Sequence, residues 1–220
     1  MEYCHGGNLP SKEYFNISLV CKIWRSYSIG SIKSIKLVPQ HMENLLIPYK
    51  PRVLEEAIKS IQQIIVNGIS LESIDFSNGE LDLQRMRHLT DSLKLNSTIR
   101  HLNFQYCYLD SESVELLAQV LSVNRSIQHL DLSYNKITHS GALCLAKSIL
   151  NNHILQSMDL SNNEIGNQGA LAISEILILN KSTVKINLSQ NQIGGDGYSV
   201  GEVMVLVMGD NGGKKDMNNV

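Results

Sequence analysis

One segment of the chain recurs at a constant interval of 28 residues, and this repetition constrains the fold more than any other feature. Its five copies begin at residues 71, 99, 127, 155 and 183 and read LESIDFSNGELD, IRHLNFQYCYLD, IQHLDLSYNKIT, LQSMDLSNNEIG and TVKINLSQNQIG. Equal spacing of one apolar pattern indicates a solenoid, in which each unit buries its apolar face against its neighbours. We number these copies repeats 1 to 5 and count positions from the first residue of each.

Each repeat changes its hydrophobic period halfway along. Positions 4 and 6 are apolar in every copy, and this period of two predicts a short strand with one face inward. The following stretch spaces its apolar residues three and four apart, which predicts one face of an α-helix. In repeats 2 to 4 that face consists of Val114, Leu117, Ala118, Leu121, Ala142, Leu145, Ala146, Ile149, Ala170, Ile173 and Leu177. The predicted fold class is an α/β solenoid with parallel strands on the concave side and helices on the convex side.

Position 9 predicts a ladder of side-chain hydrogen bonds through the turns. It is occupied by Gly79, Cys107, Asn135, Asn163 and Asn191. An Asn here can bond to backbone groups of its own turn and of the next repeat, because buried N–H and C=O groups cannot reach water. We expect Cys107 to act as a small apolar substitute and the ladder to be weakest at Gly79.

Two further columns mark the ends of the helices. Gly141, Gly169 and Gly197 are expected just before the helices, where they allow close packing at the turn. The helices are expected to end at Asn96, Asn124, Asn152 and Asn180. The reason is that Asn tolerates the left-handed backbone that often follows a helix.

The pattern L-x-x-L-x-L-x-x-N-x-I-x-x-x-G-A resembles ribonuclease-inhibitor-type leucine-rich repeats. SIQHLDLSYNKITHSGALCLAKSILNN and LQSMDLSNNEIGNQGALAISEIL match it almost position by position, and the resemblance covers about residues 71–197. It implies a curved horseshoe that binds proteins across its concave face and edges. The family includes the recognition arms of innate-immune receptors, activators of small GTPases and axonemal scaffolds.

The two ends depart from the repeat. We expect a capping segment at residues 1–31, and an irregular first repeat at 32–70 with a strand at 32–38 and an amphipathic helix at 52–68. An atypical, partly disordered tail is expected at 198–220. Its broken pattern favours the hypothesis that the chain is a truncated or alternatively spliced form of a longer repeat protein.

Residues 9–27 allow two interpretations. SLVCKIWRSY resembles the last helix of an F-box, the module by which leucine-rich-repeat adaptors join ubiquitin ligases, but the segment is too short for a whole F-box. A helix that covers the first repeat is the favoured interpretation, since analogy of fold is a weak argument.

Composition and spacing argue against several function classes. The net charge of −2, without a basic cluster, gives no general attraction to nucleic acid or acidic membranes. The N-terminus lacks a secretory h-region and no apolar run is long enough to span a membrane. The four scattered cysteines are therefore expected to be free thiols in a reducing compartment. A cytoplasmic location follows, with the cytoskeleton or the cilium as candidates.

The sequence also predicts no catalytic residue, metal, cofactor or small-molecule substrate. It contains no nucleophile elbow, P-loop or zinc-ligand spacing. The carboxylates at position 5, Asp75, Asp131 and Asp159, are interpreted as a solvated strand face.

The candidate binding surface lies on repeats 2 and 3. Positions 3, 5 and 7 should face outward with position 8 at the strand end, and neighbouring strands lie about 4.8 Å apart. The histidines at position 3 and the tyrosines at position 8 should therefore stack in pairs and form one aromatic patch. The predicted partner-binding residues are Arg100, His101, Tyr106, Gln128, His129, Asp131 and Tyr134.

Two interpretations of this patch remain open. Tyr and Arg are enriched at interface hot spots, but stacked side chains can also simply stabilise neighbouring strands. The first predicted function is a non-enzymatic scaffold that binds another protein on the concave face. The alternatives are a ubiquitin-ligase substrate adaptor and a GTPase regulator.

Overall fold

A computed structural model describes residues 33–36, 62, 71–180 and 185–194 of the 220-residue chain. The expected capping segment (1–31) and tail (198–220) lie outside the described residues. So does most of the irregular first repeat, of which a strand at Ser34–Lys36 and the helical Gln62 are described. The account below therefore concerns mainly repeats 1 to 5.

In the described residues, three-residue strands alternate with α-helices from repeat 1 onward. The strands are β1 (Ser34–Lys36), β2 (Ser73–Asp75), β3 (His101–Asn103), β4 (His129–Asp131), β5 (Ser157–Asp159) and β6 (Lys185–Asn187). The helices are α1 (Leu83–Leu95), α2 (Ser111–Val123), α3 (His139–Ile149) and α4 (Asn167–Leu179).

The six strands form one parallel sheet in sequence order, from β1 to β6. Equal positions of successive repeats are paired, so that Leu102 lies beside Leu130 and Leu130 beside Met158. These position-4 side chains are buried, and the predicted alignment of the repeats in adjacent parallel strands is confirmed. A parallel sheet with consecutive strand order and helical crossovers is the α/β solenoid that the repeat predicted.

A single apolar core lies between the sheet and the helices. The rings of Phe76 and Phe104, both at position 6, stack with centroids 5.0 Å apart. The predicted helix faces point into this core, and all but Leu177, which is partly buried against it, are fully buried. Each helix packs against the helix of the next repeat, which continues the interior along the solenoid.

The Asn residues that end the helices do so differently from the expectation. Asn96, Asn124 and Asn180 have extended backbones, with φ between −70° and −76°, rather than left-handed ones. Their side chains explain the preference for Asn instead. The Oδ1 atom of Asn124 accepts from the N–H groups of Ser126 (2.8 Å) and Ile127 (3.0 Å).

The same Asn side chain also bonds to the repeat before it. Nδ2 of Asn124 donates to the carbonyls of Leu93 (2.9 Å) and Asn96 (2.8 Å), at the end of the preceding helix. Asn152 repeats the pattern one unit later, with Nδ2 donating to Leu121 O at 2.7 Å. These buried amides therefore form a ladder on the helix side of the solenoid, which the sequence analysis did not anticipate.

The position-9 Asn residues form a second ladder, and Asn135 shows its pattern. Nδ2 of Asn135 donates to Leu132 O (2.9 Å) in its own turn and to Phe104 O (2.9 Å) in the repeat before. Its Oδ1 accepts from Cys107 N (3.1 Å) and Leu109 N (2.9 Å) of that same preceding repeat. The bonds thus run to the preceding repeat, not to the next one as expected.

Cys107 does more than fill space at position 9. Its Sγ lies 3.1 Å from Phe76 O, where an Asn would place Nδ2. The thiol is fully buried, and burial raises the pKa of Cys107 to about 12, so it remains a neutral donor. Cys107 therefore donates a hydrogen bond as an Asn would, but it has no side-chain oxygen that could accept one in the place of the Asn Oδ1. Cys107 and Cys144 are free thiols.

Candidate protein-binding surface

The open face of the sheet forms a groove with a volume of about 690 Å³. It runs across β2 to β6 and is lined by position 3 of all five repeats and by positions 4 and 5 of repeats 2 to 5. The short strands produce this surface, because positions 3 and 5 of each strand point to the same side while position 4 points into the core. We call this surface the concave groove.

Two stacked histidines lie in the middle of the concave groove. The rings of His101 and His129 are 4.5 Å apart between centroids and inclined by 12°, so the predicted stacking is present. Nδ1 of His129 is 2.7 Å from Oγ of Ser157 on the next strand. Burial lowers the pKa of His129, and the neighbouring His101 lowers it further. The His129 side chain is therefore held in a defined orientation and favours its neutral form.

The carboxylates at position 5 are more than a solvated face. Oδ1 of Asp131 accepts from the backbone N–H (2.9 Å) and the hydroxyl (2.7 Å) of Ser133. Asp159 makes the same pair of bonds to Ser161, at 2.9 and 2.6 Å. Each carboxylate thus caps the turn that follows its own strand, which fixes its direction in the groove.

Position 7, which was expected to face outward, is buried in three of the five repeats. Ser77, Ser133 and Ser161 are buried at this position, with exposed fractions of 3%, 3% and 6%. Each strand spans only positions 3 to 5, so position 7 already lies in the turn, where its N–H bonds to the position-5 side chain. The alternation of inward and outward side chains therefore applies only to positions 3 to 5 of each repeat.

Two tyrosines stack beyond the ends of β3 and β4. The rings of Tyr106 and Tyr134 are 4.2 Å apart and inclined by 17°, and 45% and 39% of these residues are exposed. Partial burial raises the pKa of Tyr106, and the adjacent Tyr134 raises it further. The stacking agrees with the register that the repeat predicted.

The backbone of this pair was not predicted. Tyr106 and Tyr134 have φ values of 54° and 57°, in the left-handed region. The same position has φ of 62°, 55° and 57° in Asn78, Asn162 and Gln190. Asn at two of these positions was the available signal, because Asn enters the left-handed region more readily than other side chains.

Of the two aromatic pairs in the predicted patch, only the histidine pair lines the concave groove. The histidines line the concave groove, whereas the tyrosines are not part of its lining. The three-residue strand and the turn after it separate position 3 from position 8. Of the other predicted residues, Arg100 is exposed, and Gln128 and Asp131 are half-buried.

Sequence reasoning missed two residues beside the tyrosine pair. Lys136 lies over the ring of Tyr108, with Nζ 5.6 Å from the centroid, and both occupy position 10 of their repeats. Tyr108 also has a left-handed backbone (φ 58°) and is 64% exposed. We call Tyr106, Tyr108, Tyr134 and Lys136 the tyrosine edge.

Neither a metal-binding cluster nor a membrane-spanning helix is found among the described residues. Among them, no three His, Cys, Asp or Glu side chains are grouped so that they could hold a metal ion. Within the same part of the chain, no helix has both the length and the apolar character needed to cross a lipid bilayer. The groove and the tyrosine edge carry aromatic rings, amides, carboxylates and the ammonium group of Lys136.

Comparisons with known proteins agree with the fold. The family model described as "Leucine Rich repeat" matches residues 123–146 and 151–174. A leiomodin-1 structure described as "Actin-Binding Site 2" is similar with a TM-score of 0.56 and 18% identity, over 66% of this chain and 84% of that one.

The tropomodulin C-terminal domain from Caenorhabditis elegans structural genomics is also similar. Its TM-score is 0.58 at 14% identity, and the match covers 67% of this chain and 90% of that one. No curated protein matches the sequence significantly. At such identities the likeness establishes a fold, and it is the fold that the 28-residue repeat and the parallel sheet define independently. The described part of the chain therefore has the α/β fold of a leucine-rich-repeat solenoid.

Proposed function

We propose that this protein is a non-enzymatic interaction scaffold that binds a partner protein on the concave groove and the adjoining tyrosine edge. A solenoid of stacked repeats presents a rigid, continuous inner surface, because every repeat is fixed by its two neighbours. Binding to such a surface loses little conformational entropy on the scaffold side. The partner-binding residues are those predicted from the sequence, together with Tyr108 and Lys136.

The observation that carries the proposal is the strained, exposed tyrosine pair. A left-handed backbone costs a residue other than Gly about 1–2 kcal/mol, and Asn tolerates it best. Asn78 and Asn162 occupy this position in repeats 1 and 4, whereas Tyr106 and Tyr134 occupy it in the middle of the solenoid. Strained residues of this kind concentrate at binding sites. Large exposed rings here contribute little to the core and offer much contact area to a partner.

Actin is a partner to test first, and the cytoplasm with its cytoskeleton is the proposed location. The support is the similarity to a leiomodin-1 domain described as an actin-binding site. The residues that suggested a ubiquitin-ligase adaptor, 9–27, lie outside the described residues. No feature of the described repeats favours GTPase regulation.

The experiment is affinity purification of the full chain from cells with mass spectrometry, followed by binding measurements with the partner that it identifies. The test variant is Tyr106→Asn/Tyr134→Asn, which installs the residue found at the same position in Asn78 and Asn162. We expect at least about tenfold weaker binding, since interface aromatic residues often contribute 2 kcal/mol or more. The melting temperature should stay within a few degrees of the wild type, because relief of strain offsets the lost stacking.

A control variant on the helix side tests whether binding depends on the sheet side alone. Leu171→Asn changes a residue of α4 that is 48% exposed on the convex face, and it should leave the affinity unchanged. Wild-type affinity in the tyrosine double variant would contradict the proposal. Cosedimentation with filamentous actin, with the same variants, tests the actin partner directly.

A further inference from the structure

The charges on the open face of the sheet are distributed unevenly from β1 to β6. At the β1–β2 end each acidic residue has its own cation: Lys36 Nζ is 2.7 Å from Asp75 Oδ2, and Lys33 Nζ is 2.9 Å from Glu72 Oε1. The pKa of Glu72 is lowered by the hydrogen bond and the charge of Lys33. This end of the face is internally neutralised.

The middle of the groove is different. Asp131 and Asp159 are register partners on β4 and β5, so two carboxylates stand side by side on strands about 4.8 Å apart. No Lys or Arg among the described residues forms an ion pair with either of them. Like charges in this arrangement repel each other and destabilise a sheet. Their bonds to Ser133 and Ser161 prevent them from turning away.

The neighbours of this pair supply dipoles but no positive charge. Asn187 Nδ2 donates to Oδ2 of Asp159 at 3.0 Å, and Asn103 flanks Asp131 on β3. On the other row of the groove, His129 bonds to Ser157. Lys185 lies at the far end, on β6, and is exposed.

A partner segment that fills the groove must compensate the negative charges of these two carboxylates. Removing water lowers the local dielectric and strengthens every charge interaction. A neutral or acidic segment would leave two half-buried carboxylates without a counter-charge, which is costly. A guanidinium or an ammonium group would compensate them, and a planar guanidinium can donate to two oxygens at once.

We infer that the partner segment that lies in the concave groove is basic and that it places an Arg or Lys side chain between Asp131 and Asp159. This inference rests on the proposed function, because it names the chemistry of the partner at the proposed surface.

The test uses linear peptides of random sequence, displayed on phage and selected on the immobilised full-length chain. We expect the selected peptides to be enriched in Arg and Lys. Their affinity should fall at least about tenfold in Asp131→Asn/Asp159→Asn, because the charge-assisted hydrogen bonds to the two carboxylates are lost. The double variant is expected to fold, because Asn103 and Asn187 already occupy position 5 and make the same bond to their turns.

Two further variants locate the binding and serve as controls. Asp75→Asn removes a carboxylate of the same column that Lys36 already neutralises, so it should leave peptide affinity unchanged. Ser157→Tyr fills the groove at position 3, a position that already carries an aromatic ring in His101 and His129. It should block every peptide that binds in the groove.

The outcomes separate this inference from the proposed function. Basic peptides that Ser157→Tyr blocks and Asp131→Asn/Asp159→Asn weakens would support both. Peptides that Ser157→Tyr blocks but that show no basic enrichment, or that tolerate the double Asn variant, would overturn the inference and leave the proposed function intact. Peptides insensitive to Ser157→Tyr and to the tyrosine double variant would count against both.

Discussion

At the scale of single residues, Asn serves different physical purposes at different positions of the repeat. At position 9, Asn135 satisfies buried backbone groups of two turns. At the helix ends, Asn124 does the same on the opposite side of the core. At position 8, Asn78 is exposed and its role is to accept a left-handed backbone. Only the third role uses the conformational tolerance of Asn, which is why an identical residue type gave a wrong expectation at the helix ends.

The histidine pair should make stability depend on pH. Burial and the neighbouring His101 lower the pKa of His129 below its ordinary value of 6.5, so below pH 6.5 the unfolded chain binds more protons than the folded one. The contribution of His129 is fully present above pH 6.5 and is lost as pH falls through the lowered pKa of the folded state. Urea unfolding of the wild type should therefore show a falling midpoint across this range.

Two variants isolate the cause of this pH dependence. His129→Gln should flatten the acid side of the stability profile. His101→Gln should flatten it only in part, because it removes the neighbouring charge and leaves the burial of His129 unchanged. A profile for His129→Gln that matches the wild type between pH 7.5 and 5 would contradict the assignment.

The sequence predicted these stacked pairs because stacking depends only on register, and the register follows from the constant repeat length. It did not predict the backbone that carries the tyrosines, since hydrophobic periodicity contains no information about φ. It also placed His101 and Tyr106 in one patch, whereas only His101 lines the concave groove. The sequence thus predicted which side chains of successive repeats are neighbours, but not how the different positions within one repeat are arranged.

At the scale of elements, the glycines of repeats 3 and 4 lie inside the helices rather than before them. Gly141 and Gly169 are the third residues of α3 and α4. The neighbouring helix explains why: a Cβ at Gly141 would be 2.8 Å from Cγ2 of Ile137 and 3.3 Å from Cα of Ser111. The prediction of close packing holds at this glycine, and the boundary was wrong because helix ends are poorly marked by periodicity.

Gly141→Ala should therefore destabilise the protein although Ala favours helices. The intrinsic helix preference favours Ala by about 1 kcal/mol, but the new methyl group meets a buried, stiff Ile side chain and the backbone of α2. Overpacking of this kind typically costs about 1–3 kcal/mol, so we expect a net loss of about 1 kcal/mol in the free energy of unfolding. Chemical denaturation measures it.

Gly166 offers the matched control for this substitution. It precedes α4 with a φ of −86°, and a Cβ there would be 4.0 Å from its nearest neighbour, Gln192 O. Gly166→Ala should change stability by less than about 0.5 kcal/mol, because the reduced freedom of the unfolded chain offsets a poorer N-cap. Equal effects of the two substitutions would show that contact with α2 is not the cause.

At the scale of the whole molecule, the repeats are held together by a core and by two side-chain ladders that join neighbouring repeats. The core could be predicted from the sequence, since apolar spacing defines it directly. The direction of the position-9 ladder could not, because an Asn side chain reaches backbone groups on either side at similar distance. The structure shows that each Asn supports the repeat before it, so a missing Asn weakens the interface on its N-terminal side.

This asymmetry predicts a gradient of local stability along the solenoid. The position-11 N–H groups of Leu109, Ile137 and Ile165 donate to the Asn Oδ1 of the next repeat at 2.9 to 3.1 Å. Leu81 has no such side-chain acceptor, because Cys107 occupies that place, and its N–H instead donates a long hydrogen bond (N···O 3.4 Å) to Cys107 O. Native-state hydrogen exchange should therefore be faster at Leu81 than at the other three.

A single substitution can restore the missing part of the ladder. Cys107→Asn keeps a donor to Phe76 O and adds an Oδ1 acceptor for the Leu81 N–H, so exchange at Leu81 should slow and the melting temperature should rise by a few degrees, for a hydrogen bond of about 1 kcal/mol. Cys107→Ser is the control, because a hydroxyl replaces the thiol donor without reaching Leu81. If Leu81 already exchanges as slowly as Leu109 in the wild type, or if Ser and Asn act alike, the ladder does not set the stability of this end. Slow exchange restored by Asn alone would show that one side-chain oxygen per repeat governs how firmly neighbouring repeats are joined.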